Sequence, residues 1–245
     1  MCELFGMSCS EPDRATKSLP VFADRGDWCK DGWGVGYYQG SEAVVVKSSD
    51  SIKTGQGTHP QFIEQVQRAR GHVVLAHVRY KTSGKRDECN SHPFKIRYLD
   101  RYWMFAHNGS IPDIVTQDYH SAVEPASDTD SARAFTYILD RVDKYISRSP
   151  LKGTYPALKH GVKELREQFH GSMNFLLSDG DILYAFNDSH HERNMYYLSR
   201  AKSYAHAFLV TTIPGGLSEE DWKPMPRDRL IVLYHGYPLI LSDTI

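Results

Sequence analysis

The chain has 245 residues, of which 40% are hydrophobic and 24% are charged, as is ordinary for a globular protein. This length fits one large domain spanning residues 1–245. The formal net charge is −1, which argues against a nucleic-acid partner held by bulk electrostatics. The sequence has no apolar run long enough to span a membrane and no signal-peptide pattern, so we expect a cytoplasmic protein without membrane contacts.

Apolar segments and turn signals predict a chain rich in strands. In chain order they predict a hairpin over 33–38 and 43–46, a helix over 60–70, strands over 73–78 and 102–106, helices over 130–146 and 155–169, a hairpin over 173–177 and 182–186, and strands over 207–212, 230–234 and 238–241. Ser127 and Asp128 precede the second helix as N-cap candidates. Because strands and helices do not alternate regularly, we predict an α+β fold with two antiparallel sheets and helices outside them.

The cysteine pattern bears on metal binding and on redox state. The cysteines are Cys2, Cys9, Cys29 and Cys89. None of them lies in a Cys-x-x-Cys pair, so a zinc site is poorly supported, and we predict neither a metal nor a cofactor. Without an export signal, the thiols are expected to be reduced. The doublet His190-His191 is interpreted as part of a solvated loop rather than as a metal site.

Cys2 carries the most chemical information in the sequence. Once the initiator methionine is removed, a cysteine here has a thiol nucleophile and a free α-amine on one residue. The amine titrates at about pH 8, so it can take the proton of the thiol without a histidine partner. A cysteine near the start of a chain is more often inert, so position alone does not establish catalysis. If Met1 is retained, the amine is blocked and the protein should be inactive.

Three further motifs each allow a catalytic and a plain structural interpretation. Arg79, which follows a predicted strand, could grip a carboxylate with two parallel hydrogen bonds or form an ordinary surface salt bridge. The Asn108 side-chain amide and the Gly109 N–H could form an oxyanion hole, or Asn-Gly could be a simple turn. Asp128 could bind a substrate ammonium and so complement Arg79, or it could cap a helix.

Taken together, these motifs resemble the class II glutamine amidotransferase domain of the N-terminal nucleophile hydrolases. The resemblance lies in the kind and order of four motifs, which are Cys2, His77-x-Arg79 with Thr82 and Gly84, His107-Asn108-Gly109, and Ser127-Asp128-Thr129-Asp130. The stand-alone YafJ-like subgroup looks most similar, on the segments 1–8, 31–34, 90–94, 106–109 and 174–180. That subgroup includes relatives that hydrolyse γ-glutamyl bonds in ergothioneine biosynthesis and glutathione breakdown.

The resemblance implies a four-layer αββα sandwich and a role for each matching residue. Cys2 would attack the δ-carbonyl of glutamine or of a γ-glutamyl group and form a γ-glutamyl thioester, with its own α-amine as the base. Asn108 and Gly109 would hold the oxyanion. Arg79 would bind the α-carboxylate of the substrate and Asp128 its α-amine.

Three functions remain open from the sequence. A cysteine amidohydrolase acting on glutamine or a γ-glutamyl compound is favoured, and a γ-glutamyl peptidase for which glutamine is a poor substrate is the alternative within enzymes. A non-catalytic amino-acid-binding protein is the third, and the intact nucleophile and oxyanion motif count against it. The expected partner is a small-molecule substrate. Because the sequence shows no synthase domain, a separate ammonia-accepting protein is left open, as is self-association of the chain.

Overall fold

Two large antiparallel β-sheets form the centre of the structure, a computed structural model that describes residues 1–82, 84–117, 119–202, 205–214 and 221–245. The strands are β1 (Glu3–Arg14), β2 (Trp33–Gln39), β3 (Glu42–Ser48), β4 (Lys53–Thr54), β5 (Gly57–Thr58), β6 (Arg70–Val78), β7 (Phe94–Tyr98), β8 (Arg101–Ser110), β9 (Ser172–Ser178), β10 (Ile182–Asn187), β11 (Tyr196–Lys202), β12 (Ala205–Thr211), β13 (Lys223–Pro224), β14 (Arg229–Tyr234) and β15 (Tyr237–Leu241). The helices are α1 (Ser18–Ala23), α2 (Pro60–Arg68), α3 (Asp113–Thr116), α4 (Asp130–Arg148) and α5 (Thr154–Gln168).

The strand order places the start of the chain in the middle of the first sheet. That sheet runs β13-β11-β12-β1-β6-β2-β3, and the second runs β15-β14-β10-β9-β8-β7. Phe5 of β1 lies opposite Ala76 of β6 on one side and Thr211 of β12 on the other. The segment that follows Cys2 is therefore held by strand pairing on both sides.

The two sheets pack face to face and helices cover their outer faces. Leu4 of the first sheet and Leu176 of the second belong to one buried cluster between the sheets. Phe62 of α2 packs in the cluster outside the first sheet, and Phe135 of α4 packs in the cluster outside the second. This is the four-layer αββα sandwich that the sequence resemblance implies, and the predicted fold class is confirmed.

The longest helix, α4, begins at the site and packs on the outer face of the second sheet. Its apolar side chains recur at a spacing of three and four residues, so one stripe is buried against β8 and β9. Its N-cap is Thr129, whose hydroxyl oxygen accepts a hydrogen bond from the Ala132 N–H at 3.2 Å. The prediction of Ser127 or Asp128 as the cap was wrong, because the helical backbone begins only at Asp130.

The predicted hairpins at 33–46 and 173–186 are the pairs β2–β3 and β9–β10. The strand β1 was not predicted. The interpretation of the histidine doublet was half wrong, because His191 is buried and accepts a hydrogen bond from the Arg193 N–H at 3.0 Å, whereas the His190 side chain is exposed. Among the described residues, no helix is long and apolar enough to cross a bilayer.

Candidate active site

Cys2 lies directly before β1, where that strand meets the end of β6. Glu3 is paired with Val78 in the ladder, so Cys2 faces the residues that follow β6. The Tyr80 N–H donates to the Cys2 Sγ at 3.2 Å, and the thiol donates to the Tyr80 carbonyl oxygen at 3.2 Å. The main chain at position 80 therefore holds the sulfur, independently of the side chain there.

The thiol of Cys2 is protonated in this environment. Burial raises its pKa to about 11, although the hydrogen bond from the Tyr80 main chain and the nearby charge of Arg79 act in the opposite direction. A thiol with such a pKa has almost no thiolate at neutral pH. Both hydrogen bonds described for this sulfur involve the main chain, and neither involves a histidine ring. Nucleophilic attack by Cys2 therefore requires a base.

A cleft opens at this thiol and encloses about 300 Å³ of space, including its mouth. The residues that line it are Cys2, Arg79, Tyr80, Thr82, Asn90, His92, His107, Gly109, Thr129, Asp130 and Ser131. They come from both sheets, from the start of α4 and from the loop before β7.

Asn108 and Gly109, at the end of β8, reach Cys2 from the opposite sheet. The Asn108 side chain is buried, and its Nδ2 donates to the Cys2 carbonyl oxygen at 2.7 Å. A Cβ at position 109 would lie 2.0 Å from the Ser172 carbonyl oxygen and 2.6 Å from the His107 Nε2. Only glycine fits at this point, which explains the Asn-Gly pair within a strand.

Arg79 brings a positive charge to the cleft. Its side chain is only 4% exposed, and Nη1 donates to the Lys85 carbonyl oxygen at 3.1 Å. Two hydrogen bonds fix the main chain of Arg79. Its N–H donates to the Gly32 carbonyl oxygen at 2.8 Å, and its carbonyl oxygen accepts from the Asp31 N–H at 3.1 Å. The guanidinium is thus held next to Cys2, where an anionic substrate group would meet it.

The predicted partner of Arg79 is placed differently from the other site residues. Asp128 is exposed and precedes the cleft-lining Thr129, but it is not itself one of the lining residues. Asp130 does line the cleft, and it accepts hydrogen bonds from the Ile111 N–H at 2.8 Å and the Ser131 N–H at 2.9 Å. The structure therefore brings Cys2, Arg79, Asn108 and Gly109 together and leaves Asp128 on the exposed loop beside them, so its role stays a prediction.

Three buried histidines lie around the cleft floor, and the sequence assigned none of them a role. The Nδ1 of His92 lies 3.1 Å from the Nε2 of His77. The Nε2–H of His107 donates to the Ser172 carbonyl oxygen at 3.2 Å, which leaves its Nδ1 to accept from the Ser131 hydroxyl at 2.8 Å. Burial lowers the pKa of each ring, to about 3 for His77, so all three are neutral at pH 7. Over the described parts of the chain, no group of three or more His, Cys, Asp or Glu residues is placed to hold a metal ion.

The segments 31–34 and 90–94, to which the sequence assigned no chemical role, pack against each other. A Cβ at Gly34 would lie 2.2 Å from the His92 carbonyl oxygen, and a Cβ at Gly32 would lie 2.4 Å from the Ser91 Oγ. The Ser91 hydroxyl donates to the Ser48 carbonyl oxygen at 3.0 Å. These glycines let the second segment approach closely and present His92 to the cleft. The spacing of the glycines was the available signal, but it does not identify what they approach.

A thiol and a buried guanidinium line one cleft of an αββα sandwich, and the Asn108 amide of the facing sheet bonds to the main chain of Cys2. The family model for the class II glutamine amidotransferases matches residues 1–213. The chain therefore belongs to this family. The match extends from β1 to the end of β12, and it includes every residue that lines the cleft.

The chain also resembles known proteins in sequence and in fold. The chain is 27% identical over 221 residues to YafJ of Escherichia coli, a protein assigned to the glutamine amidotransferases, with 86% of this chain and 80% of YafJ covered. The crystal structure of a predicted glutamine amidotransferase from Pseudomonas aeruginosa has a TM-score of 0.68 at 24% identity and covers 98% of this chain and 100% of its own. Glutamine phosphoribosylpyrophosphate amidotransferase from B. subtilis has a TM-score of 0.63 at 14% identity over 95% of this chain and 47% of its own, which shows the shared fold.

Proposed function

We propose that this protein is a cysteine amidohydrolase that cleaves the γ-amide of glutamine or a γ-glutamyl bond through a thioester on Cys2. The family supports chemistry on glutamine amides in general. The observation that carries the finer proposal is the 2.7 Å hydrogen bond from the Asn108 Nδ2 to the carbonyl oxygen of Cys2, a residue that lines one cleft together with Arg79 and Gly109. An amide donor beside a cysteine thiol is what acyl transfer requires.

The chemical step begins when the initiator methionine has been removed and the α-amine of Cys2 is free. The amine takes the proton of the thiol, and the sulfur attacks the substrate carbonyl carbon. The oxyanion that forms accepts hydrogen bonds from the Asn108 side chain and the Gly109 N–H. The Nδ2 of an asparagine carries two hydrogens, so Asn108 can keep its bond to the Cys2 carbonyl while it donates to the oxyanion.

The second half of the reaction releases both products. When the tetrahedral intermediate collapses, the carbon–nitrogen bond breaks and the protonated amine of Cys2 gives its proton to the leaving ammonia or amine. A water molecule then attacks the γ-glutamyl thioester with the same amine as base. Glutamate leaves and the thiol of Cys2 is regenerated. The step needs no metal or redox group.

The head group of the substrate is assigned to Arg79 and Asp128. The buried guanidinium of Arg79 would receive the α-carboxylate, and the exposed carboxylate of Asp128 would face the α-ammonium at the cleft mouth. The specificity of the enzyme then lies in the γ-glutamyl half of the substrate. The leaving group and any protein that accepts ammonia are left to experiment, and the cytoplasmic location and the single-domain organisation stay predictions from the sequence.

A hydrolysis screen of the mature protein tests this function. Glutamine, γ-glutamyl dipeptides and glutathione are each incubated with the protein, and released glutamate is measured against Cys2→Ala. We expect at least one of them to be hydrolysed by the parent protein and none by the variant. Turnover of γ-glutamyl peptides but not of glutamine would indicate the γ-glutamyl peptidase, and binding of glutamine without turnover would indicate the non-catalytic protein.

A further inference from the structure

The nucleophile and the oxyanion donor belong to different sheets, so something must fix one against the other. Cys2 precedes β1 of the first sheet, and Asn108 lies near the end of β8 in the second. Between the sheets, apolar side chains form one buried cluster, and the hydrogen bonds from the Tyr38 hydroxyl to the Ser178 carbonyl oxygen and from the Gly236 N–H to the Ser8 hydroxyl lie farther along β1 and β2, away from Cys2. Apolar contacts are not directional, whereas an oxyanion donor must lie within a few tenths of an ångström of its productive position.

On the first sheet, the anchor is the residue next to the nucleophile. The Glu3 side chain is only 4% exposed, and its Oε1 accepts a hydrogen bond from the Nη1 of Arg193. Its Oε2 accepts from the Thr212 hydroxyl at 2.6 Å, and that hydroxyl oxygen accepts from the Leu4 N–H at 2.9 Å. A carboxylate is buried at low cost only when it is paired in this way, so Glu3 ties the start of β1 to Arg193.

On the second sheet, the anchor is the strand partner of Asn108. Asn174 of β9 lies directly opposite Asn108 of β8 in the ladder and is fully buried. Its Nδ2 donates to the Arg193 carbonyl oxygen at 3.0 Å, and its Oδ1 accepts from the Asp188 N–H at 2.9 Å. One asparagine thus holds both ends of the loop that carries Arg193.

These contacts close a ring. It runs from Cys2 to Glu3 along the chain, to Arg193 by an ion pair, to Asn174 by a hydrogen bond, to Asn108 across the strand ladder, and back to Cys2 by the 2.7 Å hydrogen bond. We propose that Glu3, Arg193 and Asn174 are positioning residues that set the nucleophile in register with its oxyanion donor. Glu3 is adjacent to Cys2 in the chain, Asn174 is paired with Asn108 in the ladder, and Arg193 contacts both Glu3 and Asn174. Their action is therefore assigned through Cys2 and Asn108.

The test compares two arginines of matched surroundings. Arg193→Met removes the guanidinium that pairs with Glu3, where the side chains are 42% and 4% exposed. Arg101→Met removes the guanidinium that pairs with Asp179, where the two side chains are 47% and 3% exposed. Arg101 begins β8, whereas Asn108 lies near the end of that strand. Displacement of a reacting group by about 1 Å can lower a rate about 100-fold, so we expect kcat to fall roughly 10- to 100-fold in Arg193→Met. The KM of Arg193→Met should stay within about twofold of the parent value, and so should both the kcat and the KM of Arg101→Met.

Three further comparisons separate positioning from a general loss of structure. Alkylation of Cys2 by iodoacetamide needs the thiol but no oxyanion donor, so its rate should change far less than kcat does in Arg193→Met. In an Asn108→Ala background, assayed with an activated γ-glutamyl anilide, Arg193→Met should cost less than about threefold, because the alignment that it disturbs is already lost. Arg193→Lys should restore most of kcat, since only one nitrogen of Arg193 contacts Glu3. Equal losses in the two Met variants, or a full additive loss in the Asn108→Ala background, would overturn the inference.

The kinetic arms rest on the proposed function, so one arm does not use activity. Amide hydrogen exchange over residues 3–8 should become faster in Arg193→Met and remain unchanged in Arg101→Met. If the parent protein hydrolyses no γ-glutamyl compound, the proposed function fails while this exchange comparison still decides the positioning role. Unchanged exchange over residues 3–8 in Arg193→Met would show that the ring does not hold the nucleophile.

Discussion

Two carboxylates close in sequence have different surroundings at the cleft. Asp128 is exposed on the loop before α4, whereas Asp130 is buried and accepts hydrogen bonds from two main-chain N–H groups. Arg79 faces the cleft from a side chain that is almost fully buried. We therefore expect single substitutions here to separate substrate binding from folding.

Replacing Arg79 should weaken catalysis without unfolding the protein. A hydrogen bond to a charged group contributes about 1.5–3 kcal/mol, so Arg79→Ala should lower kcat/KM for the preferred γ-glutamyl substrate roughly 10- to 150-fold. Arg79→Lys should not restore activity, because an ammonium cannot form two parallel hydrogen bonds with a carboxylate. Steady-state kinetics checks this, with Arg148→Ala on the exposed end of α4 as the control. If Arg79→Ala handles the substrate like the parent protein, the carboxylate is bound elsewhere.

The variants Asp128→Asn and Asp130→Asn should affect different properties, the first catalysis and the second stability. Asp128→Asn should lower kcat/KM roughly 10-fold or more and leave the melting temperature unchanged, since its carboxylate is exposed. Asp130→Asn should lower the free energy of unfolding by about 1–3 kcal/mol, because an amide cannot accept both main-chain hydrogen bonds. Kinetics and thermal unfolding of both variants decide the matter. Normal kinetics in Asp128→Asn would remove this residue from the substrate site.

At the scale of elements, the cleft wall depends on how closely two chain segments approach. The segment 90–94 reaches the cleft only because Gly34 of β2 has no side chain. A Cβ at that position would lie 2.2 Å from the carbonyl oxygen of His92. The neighbouring atom belongs to the main chain, so it cannot move aside as the end of a flexible side chain can. The position of His92 is therefore set by β2 rather than by its own loop.

Gly34→Ala should destabilise the protein and disturb the cleft together. Overpacking of this kind costs about 1–3 kcal/mol, so we expect a loss of that size in the free energy of unfolding and a lower kcat/KM. Gly55→Ala is the matched control, because a Cβ there has no atom within 4 Å. Denaturant unfolding of the two variants measures the difference. Equal stability of Gly34→Ala and Gly55→Ala would show that the segments do not pack as described.

Elements with local signals could be predicted from the sequence, and elements that depend on distant partners could not. The hairpin β9–β10 is marked by a turn of polar residues and glycine between two apolar runs. The strand β1 contains Gly6, Ser8 and Cys9, which have no strand pattern of their own, and it is held by β6 and β12 far along the chain. Local sequence cannot reveal such pairing.

The same distinction applies to the site. Cys2, Arg79, Asn108 and Gly109 could be identified because family motifs mark them, and the structure brings them together. His92 reaches the cleft through a main-chain contact that Gly34 permits, and that contact leaves no side-chain pattern. Glu3 and Arg193 are likewise joined only by the fold.

At the scale of the whole molecule, three neutral histidines near the sheet junction make stability depend on pH. Their folded pKa values lie below the value of about 6.5 for an unfolded chain, with His77 at about 3. Between the folded and the unfolded pKa of each histidine, the unfolded chain binds more protons than the folded protein. The contribution of the three neutral rings to the free energy of unfolding is therefore complete above about pH 6.5. It falls as the pH decreases, by up to about 1.4 kcal/mol per pH unit for each histidine.

Urea unfolding between about pH 7 and pH 5 should show this slope. His77→Gln should reduce the slope, whatever its effect on stability at neutral pH, because one of the titrating groups is gone. His120→Gln, on an exposed loop, should leave the slope unchanged. A slope that is identical in the parent protein and in His77→Gln would mean that this ring is not kept neutral by the fold.

The central claim is that the freed amine and thiol of Cys2 form a γ-glutamyl thioester, and peptide mass mapping after acid quench tests it most directly. The protein is prepared with an N-terminal extension whose cleavage leaves Cys2 as the first residue, and each form is mixed with the substrate that the hydrolysis screen identifies. Cleaved protein should carry one γ-glutamyl group on the peptide that begins at Cys2, and uncleaved protein should carry none. Acylation at Cys9, Cys29 or Cys89 with Cys2 unmodified, or equal acylation of the uncleaved form, would contradict the account.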